Sequence, residues 1–160
     1  MRVGTRTQLA RKWAPSGHRP KAVVKLGYEF SLLFVAIAPF TGKVFAMFLP
    51  TLNQECFQLF GQQFEQELTA RTLLLADQAT AHQQKLLNPE RIVLEKIPPA
   101  SPELNPVERF FRELRRRMAF KVFDSILQAQ QLVEKELAFF FDNPHIVSSI
   151  TNYDYLSNTS

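Results

Sequence analysis

Residues 98–118 read PPASPELNPVERFFRELRRRM and mark the point where one element ends and a basic helix begins. The paired prolines interrupt any regular structure that precedes them. Asn105 followed by Pro106 is a typical helix start, with asparagine as the N-cap and proline at the first helical position. From there, apolar residues recur at helical spacing while arginines occupy another face. The stretch therefore predicts a basic amphipathic helix that begins at Asn105.

Glu108 lies in the first turn of this helix, at the border between its apolar face and its basic face. A carboxylate there can bond back to the backbone N–H of Asn105 as in a capping box, which would make it structural. It can also be an oxygen ligand for a hard cation, with Arg112 and Arg115 beside it to bind phosphate. The helix pattern leaves both roles open.

The surrounding chain alternates strand and helix patterns. The sequence predicts a hairpin of residues 28–39 and 43–50, a helix over 53–68, strands over 73–76 and 91–97, and a last helix from an Asp124 cap through Phe141, ended by Asp142-Asn143-Pro144. Continuous apolarity in the first hairpin strand predicts burial on both faces. Strands that alternate with helices after an antiparallel start indicate a mixed α/β sheet covered by helices.

Asp77 follows the apolar strand of residues 73–76 directly. The carboxyl ends of strands in open α/β sheets are where ligands bind, so Asp77 is a candidate functional carboxylate. A plain turn residue, or a cap for the next helix, would be the structural alternative. Two carboxylates and a basic helix suit phosphodiester chemistry, because two divalent ions held by oxygen ligands can stabilise both attacking and leaving oxygens.

Composition narrows the classes of protein. Only one cysteine, Cys56, is present, which excludes an intramolecular disulfide framework and a cysteine-rich zinc site. The most hydrophobic run, residues 30–49, is interrupted by Pro39 and Gly42, which indicates a hairpin rather than a membrane span. We expect a cytoplasmic protein with no membrane partner.

Basic charge is concentrated at the start of the chain. Residues 1–25 contain 7 of the 19 Lys and Arg residues and no acidic residue. A segment of this kind binds a polyanion or lies solvated as an arm. We therefore predict a basic extended arm over residues 1–25.

Two motifs resemble a known family. LLLADQATAHQ (residues 73–83) and IPPASPELNPVERFFRELRRR (residues 97–117) closely resemble the catalytic core of DDE transposases of the mariner superfamily, in particular its bacterial insertion-sequence branch. That family carries an Asp at the end of the fourth strand, commonly in Asp-Asn-Ala-x-x-His, and a Glu in Ser-Pro-x-Leu-Asn-Pro-x-Glu. ARKWAPSGHRP (residues 10–20) is also similar to family sequence. Gln78 departs from the usual Asn.

The resemblance implies a ribonuclease H-like α/β fold, a mixed sheet flanked by helices, and cleavage and transfer of DNA strands with Mg²⁺ or Mn²⁺. It implies that Asp77 and Glu108, 31 residues apart, are catalytic metal ligands. His82 would position Asp77 or substrate, or be a structural histidine, and Asn105 would support Glu108. The implied DNA contacts are Arg6, Arg11, Lys12, Arg19, Arg112, Arg115 and Arg116.

The same resemblance predicts an incomplete site. The family's first catalytic Asp ends a first strand, usually just before sequence like that which here begins at Met1. We therefore expect residues 1–160 to form a single, partial catalytic domain whose first strand is missing and which alone does not cut DNA. A misassigned start, a second reading frame and a decayed copy all stay open as explanations.

Partners follow from these expectations. We expect transposon-end DNA, and either the N-terminal half of the transposase or a second copy of the chain. The alternative function is a non-catalytic module that binds DNA or modulates assembly of the intact transposase. A nucleotide-binding domain is disfavoured, because the sequence has no glycine-rich phosphate loop and only 5 glycines.

Overall fold

The structure, a computed structural model, describes residues 1–11, 13–17 and 21–153. Within these ranges, the chain forms five strands and four α-helices, separated by two short 3₁₀ turns. The strands are β1 (Arg2–Gly4), β2 (Phe30–Ala38), β3 (Lys43–Leu49), β4 (Thr72–Ala76) and β5 (Ile92–Lys96), and the helices are α1 (Gln54–Gln66), α2 (Pro106–Met118), α3 (Ile126–Asp142) and α4 (Pro144–Thr151). No helix of this described part is long and apolar enough to cross a membrane.

The strands are arranged in two sheets. β1, β2 and β3 form an antiparallel sheet in that order, and β4 pairs with β5 in parallel. The predicted hairpin is confirmed, with Ala38 opposite Lys43. Gly42 closes its turn at φ 70°, and a Cβ atom there would lie 1.7 Å from the carbonyl oxygen of Pro144. Both the backbone conformation and the close approach of α4 therefore require glycine at this position.

Two apolar clusters cover opposite faces of the antiparallel sheet. Leu33 and Val35 of β2 pack with α2, α3 and α4, whereas Phe34 and Ala36 pack with α1. This alternation confirms the predicted burial of β2 on both faces. The second cluster also includes apolar side chains of β4 and β5, so α1 packs against both sheets.

One edge of each sheet lacks a strand neighbour. Met1 and Leu33 exchange two backbone hydrogen bonds of 2.7 Å, but beyond Leu33 this edge of β2 has no paired strand in the described part of the chain. Within the same described part of the chain, β4 pairs only with β5, and the Leu73 side chain of β4 is 60% exposed. The prediction of a missing first strand is thus partly right. A three-residue strand is present, because Arg2–Gly4 can pair with β2, but it does not bridge the two sheets.

The prediction of an arm over residues 1–25 needs a correction at its start. Val3, Thr5 and Thr7 are buried. β1 pairs with β2, and the backbone N–H of Thr7 donates to the carbonyl of Lys25 on the returning chain. The Lys25 Nζ atom in turn donates to the carbonyl of Phe123 at 2.7 Å. Beyond this pairing, the Trp13 side chain is fully exposed.

The end of the chain also differs from the prediction. Ser125, not Asp124, caps α3, because its side chain accepts a hydrogen bond from the backbone N–H of Gln128. Asn143-Pro144 ends α3 as predicted but also starts α4, since proline is favoured in the first turn of a helix.

Candidate functional site

Asp77 lies at the carboxyl end of β4, where the sequence predicted a functional carboxylate. Its Oδ1 atom accepts a hydrogen bond of 3.1 Å from the backbone N–H of Ala79, which forms a tight turn after the strand. The Gln78 side chain donates to the carbonyl of Ile97 at 2.8 Å and so ties this turn to the end of β5. Asp77 itself is exposed, with 67% of its side-chain surface accessible.

His82 is held against Asp77. Its Nδ1 atom lies 2.7 Å from Oδ1 of Asp77, and since an ionised carboxylate only accepts hydrogen bonds, Nδ1 carries the proton and donates. The imidazole is 14% exposed and packs on the Phe57 ring with centroids 4.7 Å apart. This arrangement fixes one orientation of the carboxylate, and the described hydrogen bonds to its side chain all use Oδ1.

Glu108 lies in the first turn of α2, but it does not complete a capping box. Asn105 caps the helix by accepting from the backbone N–H of Val107 at 3.2 Å. The backbone N–H of Asn105, which a capping box would require, donates instead to the carbonyl of Pro102 at 3.0 Å. The Glu108 side chain makes no hydrogen bond or ion pair with any described residue. The structural role that sequence alone left open for Glu108 is therefore not used.

The α-amino group of Met1 lies near both carboxylates, Asp77 and Glu108. The pKa of its α-amino group is lowered to about 6, mainly because the group is buried and also because Arg115 is near, while Glu108 and Asp77 oppose the shift. Both carboxylates are thus close enough to act on a single group. Because Met1 directly precedes β1, Asp77 and Glu108 lie near the start of that strand.

The arginines of α2 divide into two classes. Arg116 and Arg117 both donate to Glu113, at 2.7 and 3.0 Å, and Arg117 also bonds Glu136 of α3 at 2.9 Å. These hydrogen bonds, from Arg116 and then Arg117, lower the pKa of Glu113, although partial burial opposes the shift. Arg112 and Arg115 are exposed and form no ion pair within the part of the chain that the structure describes. Among the predicted DNA contacts on α2, Arg116 therefore has its charge matched by Glu113 and is less suited to bind phosphate than Arg112 and Arg115.

Arg109 and Tyr153 are neighbours of the site that sequence reasoning missed. The guanidinium carbon of Arg109 lies 3.7 Å from the centre of the Tyr153 ring. Both side chains line a surface pocket of about 390 Å³ together with Glu103, Glu108, Arg112 and Arg115. The position of Arg109 directly after Glu108 is the only sequence signal that could have indicated it. Nothing local marks Tyr153, which lies beyond α4.

The predicted contacts in the basic arm are only partly described. Arg6 and Arg11 are exposed, and no described contact joins them to Asp77 or Glu108. Lys12 and Arg19 lie outside the described residues. These four contacts stay predictions.

Asp77 and Glu108 are the right type of ligand for a hard divalent cation, but two carboxylates are few for a metal site. Asp77 and Glu108 offer carboxylate oxygens, which Mg²⁺ and Mn²⁺ prefer. Among the described residues, no group of three or more His, Cys, Asp or Glu side chains is arranged to hold a metal. Asp77 and Glu108 alone would hold such a cation only weakly, with water as the remaining ligands.

Comparison with known proteins supports the family. A family model described as DDE superfamily endonuclease matches residues 1–129. The uncharacterized protein y4pE/y4sA of Sinorhizobium fredii is 33% identical, over 61% of this chain and 78% of that protein. The insertion-sequence branch stays a prediction.

Solved structures with the same fold include those of Mos1 transposase. The Mos1 strand transfer complex matches with a TM-score of 0.66 and 17% identity, over 96% of this chain and 53% of that chain. A pre-cleavage Mos1 transpososome gives a TM-score of 0.66 at 16% identity, over 96% and 54%. This likeness confirms the predicted ribonuclease H-like α/β class. The chain spans about half the length of these Mos1 chains.

Proposed function

Because this chain belongs to the DDE superfamily endonuclease family, we propose that it is part of the catalytic domain of a transposase. The parent reaction is cleavage and transfer of DNA strands at transposon ends with Mg²⁺ or Mn²⁺. The names of the structural relatives support this assignment, since they include a Mos1 paired-end complex with a transposon end and a Mos1 mariner complex with Mn.

Asp77 and Glu108 are the residues that would hold the metal. When bound, Mg²⁺ or Mn²⁺ stabilises charge on the attacking and leaving oxygens of a phosphodiester. His82 orients Asp77 through the 2.7 Å hydrogen bond from Nδ1, and Asn105 fixes the start of the helix that carries Glu108. Arg112 and Arg115, which have no ion-pair partner in the described ranges, bind the DNA backbone beside the carboxylates.

The unengaged Glu108 side chain is the observation that carries this proposal. A half-buried carboxylate costs free energy to desolvate unless it is paired. The obvious structural use, the capping box, is excluded because the N–H of Asn105 bonds Pro102. A role toward a ligand explains a half-buried carboxylate that has no partner among the described residues.

A further strand would complete the site. Because β1 is antiparallel to β2, chain that precedes Met1 in a longer protein would continue along the open edge of β2. Since Met1 also lies near Asp77 at the end of β4, such a strand would run parallel to β4 and fill its open edge. A carboxylate near the end of that strand would supply the missing ligand. The N-terminal half of the transposase, or a second copy of the chain, is the partner that we propose for this edge.

Nicking of a supercoiled plasmid that carries the element's own ends, in Mn²⁺, tests the proposal. The chain alone should not nick, whereas the chain extended at its N-terminus by the sequence encoded upstream should. Asp77→Asn or Glu108→Gln in the extended protein should abolish nicking, and Glu55→Gln, at an exposed first-turn glutamate of α1, is the matched control that should retain it. An extended Glu108→Gln variant that nicks like the extended wild type would overturn the assignment of Glu108.

The alternative of a non-catalytic DNA-binding or assembly module keeps one observation in its favour. No group of three metal-binding side chains is formed by the described residues, while Arg6, Arg11, Arg112 and Arg115 are exposed. A module of this kind would bind the same plasmid with steep salt dependence. It would not nick the plasmid in either form of the chain, which separates the two functions.

A further inference from the structure

We infer that the pocket beside Glu108 is a binding site for a phosphate group, and that Tyr153 positions Arg109 in it. The inference rests on the proposed function, because it takes the phosphate to belong to the DNA backbone. It adds a ligand and two residues, Arg109 and Tyr153, to the site.

The pocket has the size and charge for this ligand. Its volume of about 390 Å³ falls within the range of roughly 300–1,000 Å³ of small-molecule sites. Three arginines line it, and they follow one another at intervals of three along α2, so their side chains share one side of the helix: Arg109, Arg112 and Arg115. Three guanidinium groups in one pocket repel each other and are stabilised by an anion.

Two other arginines of α2, Arg116 and Arg117, differ from the pocket arginines because they are paired with a carboxylate. Glu113 accepts from both Arg116 and Arg117, which lie outside the pocket. The pocket arginines have no such carboxylate within ion-pair distance in the described ranges. Their donors are therefore available, and arginine is well suited to phosphate because its planar fork can donate two parallel hydrogen bonds.

Tyr153 restricts one of these arginines. At 3.7 Å from the ring centre, the guanidinium of Arg109 is in contact with the aromatic face. A stacked guanidinium keeps its N–H donors at its rim, so stacking orders the side chain without using its donors. The Tyr153 ring thereby holds Arg109 beside Glu108 in a conformation ready to bind phosphate.

Two carboxylates in the same pocket oppose an anion. Glu103 and Glu108 both line it, so without a metal their negative charges repel phosphate. Removal of the Glu108 charge should therefore tighten phosphate binding when no metal is present. This direction is opposite to that expected for catalysis, which makes the two proposals separable.

The test is fluorescence anisotropy of a labelled DNA duplex with the full chain in EDTA, across a series of salt concentrations. Arg109→Ala should weaken binding and lower the slope of log affinity against log salt by about 1, the value for one phosphate contact. Arg116→Ala, the same substitution on the same helix, should leave the slope nearly unchanged. Tyr153→Ala should weaken binding, Tyr153→Phe should retain it, and Glu108→Gln should tighten it, a gain that misfolding cannot produce.

Inorganic phosphate distinguishes the source of the ligand. Competition by phosphate that is weaker in Arg109→Ala than in Arg116→Ala supports the pocket as a phosphate site. Equal slope changes in Arg109→Ala and Arg116→Ala, or equal binding by Tyr153→Ala and wild type, would overturn the inference. Either result would leave the metal proposal intact. Conversely, an extended protein that fails to nick while Arg109→Ala weakens binding in EDTA would overturn the proposed reaction alone.

Discussion

The Nδ1 atom of His82 donates a hydrogen bond to Oδ1 of Asp77 across 2.7 Å, while Phe57 packs on the same imidazole. The histidine is mostly buried and the aspartate is mostly exposed. A buried group therefore orients an exposed one. A buried residue that hydrogen-bonds an exposed one is the arrangement expected where a residue behind a metal ligand fixes the position of that ligand.

Replacement of His82 should consequently weaken divalent metal binding. We expect His82→Ala to lower Mn²⁺ affinity by about tenfold or more, because Asp77 loses the partner that orders it. Electron paramagnetic resonance of free Mn²⁺ measures this directly. His145→Ala is the matched control, since His145 lies exposed on α4. An equal affinity of both variants and wild type would contradict a positioning role for His82.

The cap of α2 should contribute to stability independently of function. Asn105→Ala removes the acceptor for the N–H of Val107 and should lower the free energy of unfolding by about 1 kcal/mol. Asn105→Asp keeps an acceptor and should recover most of this loss. Urea unfolding at neutral pH measures both changes. If Asn105→Ala were as stable as wild type, the helix would not depend on this cap.

Glu113 should make the fold sensitive to acid. Its pKa is lower in the folded chain than the value of about 4.3 for an unpaired glutamate, because Arg116 and Arg117 bond it. The folded state therefore holds this proton less tightly than the unfolded state does. Its stabilising effect is present above about pH 4.3 and is lost as the pH falls through the lower folded-state pKa.

Substitution of Glu113 tests this linkage. Glu113→Gln should be less stable than wild type at neutral pH, and should lose less stability between neutral and acid pH. Urea unfolding at a series of pH values shows the difference. Parallel pH profiles for the two proteins would mean that Glu113 has the same pKa in both states.

Gly42 should be intolerant of any side chain. Gly42→Ala introduces strain at φ 70° and also places a Cβ atom 1.7 Å from the carbonyl oxygen of Pro144. Gly17 has a similar φ of 83° but no atom within 4 Å of its Cβ position, so Gly17→Ala isolates the backbone strain. In thermal unfolding, Gly42→Ala should lower the free energy of unfolding by well above the roughly 1 kcal/mol expected for Gly17→Ala. Equal losses of stability in the two variants would mean that the contact between α4 and the hairpin turn adds no steric cost.

The parts of the fold that local chemistry dictates were predictable from sequence. Asn105-Pro106 set the start of α2, and Gly42 closed the hairpin, because each position has few alternatives. The cap of α3 was assigned to Asp124 because adjacent Asp and Ser are both good caps, and only the bond from Gln128 to Ser125 decides between them. α4 was missed because Pro144 was interpreted only as the end of α3.

The site was less predictable because it depends on contacts between distant elements. Asp77 and Glu108 could be named from motifs, but whether Glu108 caps its own helix depends on the bond from Asn105 to Pro102. The pairing of Arg116 and Arg117 with Glu113 follows the i, i+3 and i, i+4 spacing, and the sequence did contain that signal. Contact of Arg109 with Tyr153 requires the path of the chain after α4, which no local pattern encodes.

Mn²⁺ binding by the wild-type chain, Asp77→Asn and Glu108→Gln, followed by electron paramagnetic resonance, tests most directly whether the two carboxylates form one metal site. We expect measurable but weak binding by wild type, because the described residues supply only two carboxylate ligands at this edge. Each substitution should reduce that binding strongly, and the double variant should bind no more weakly than the weaker single variant. Equal affinity for Mn²⁺ in all the proteins, or a loss in only one single variant, would contradict a shared site at Asp77 and Glu108.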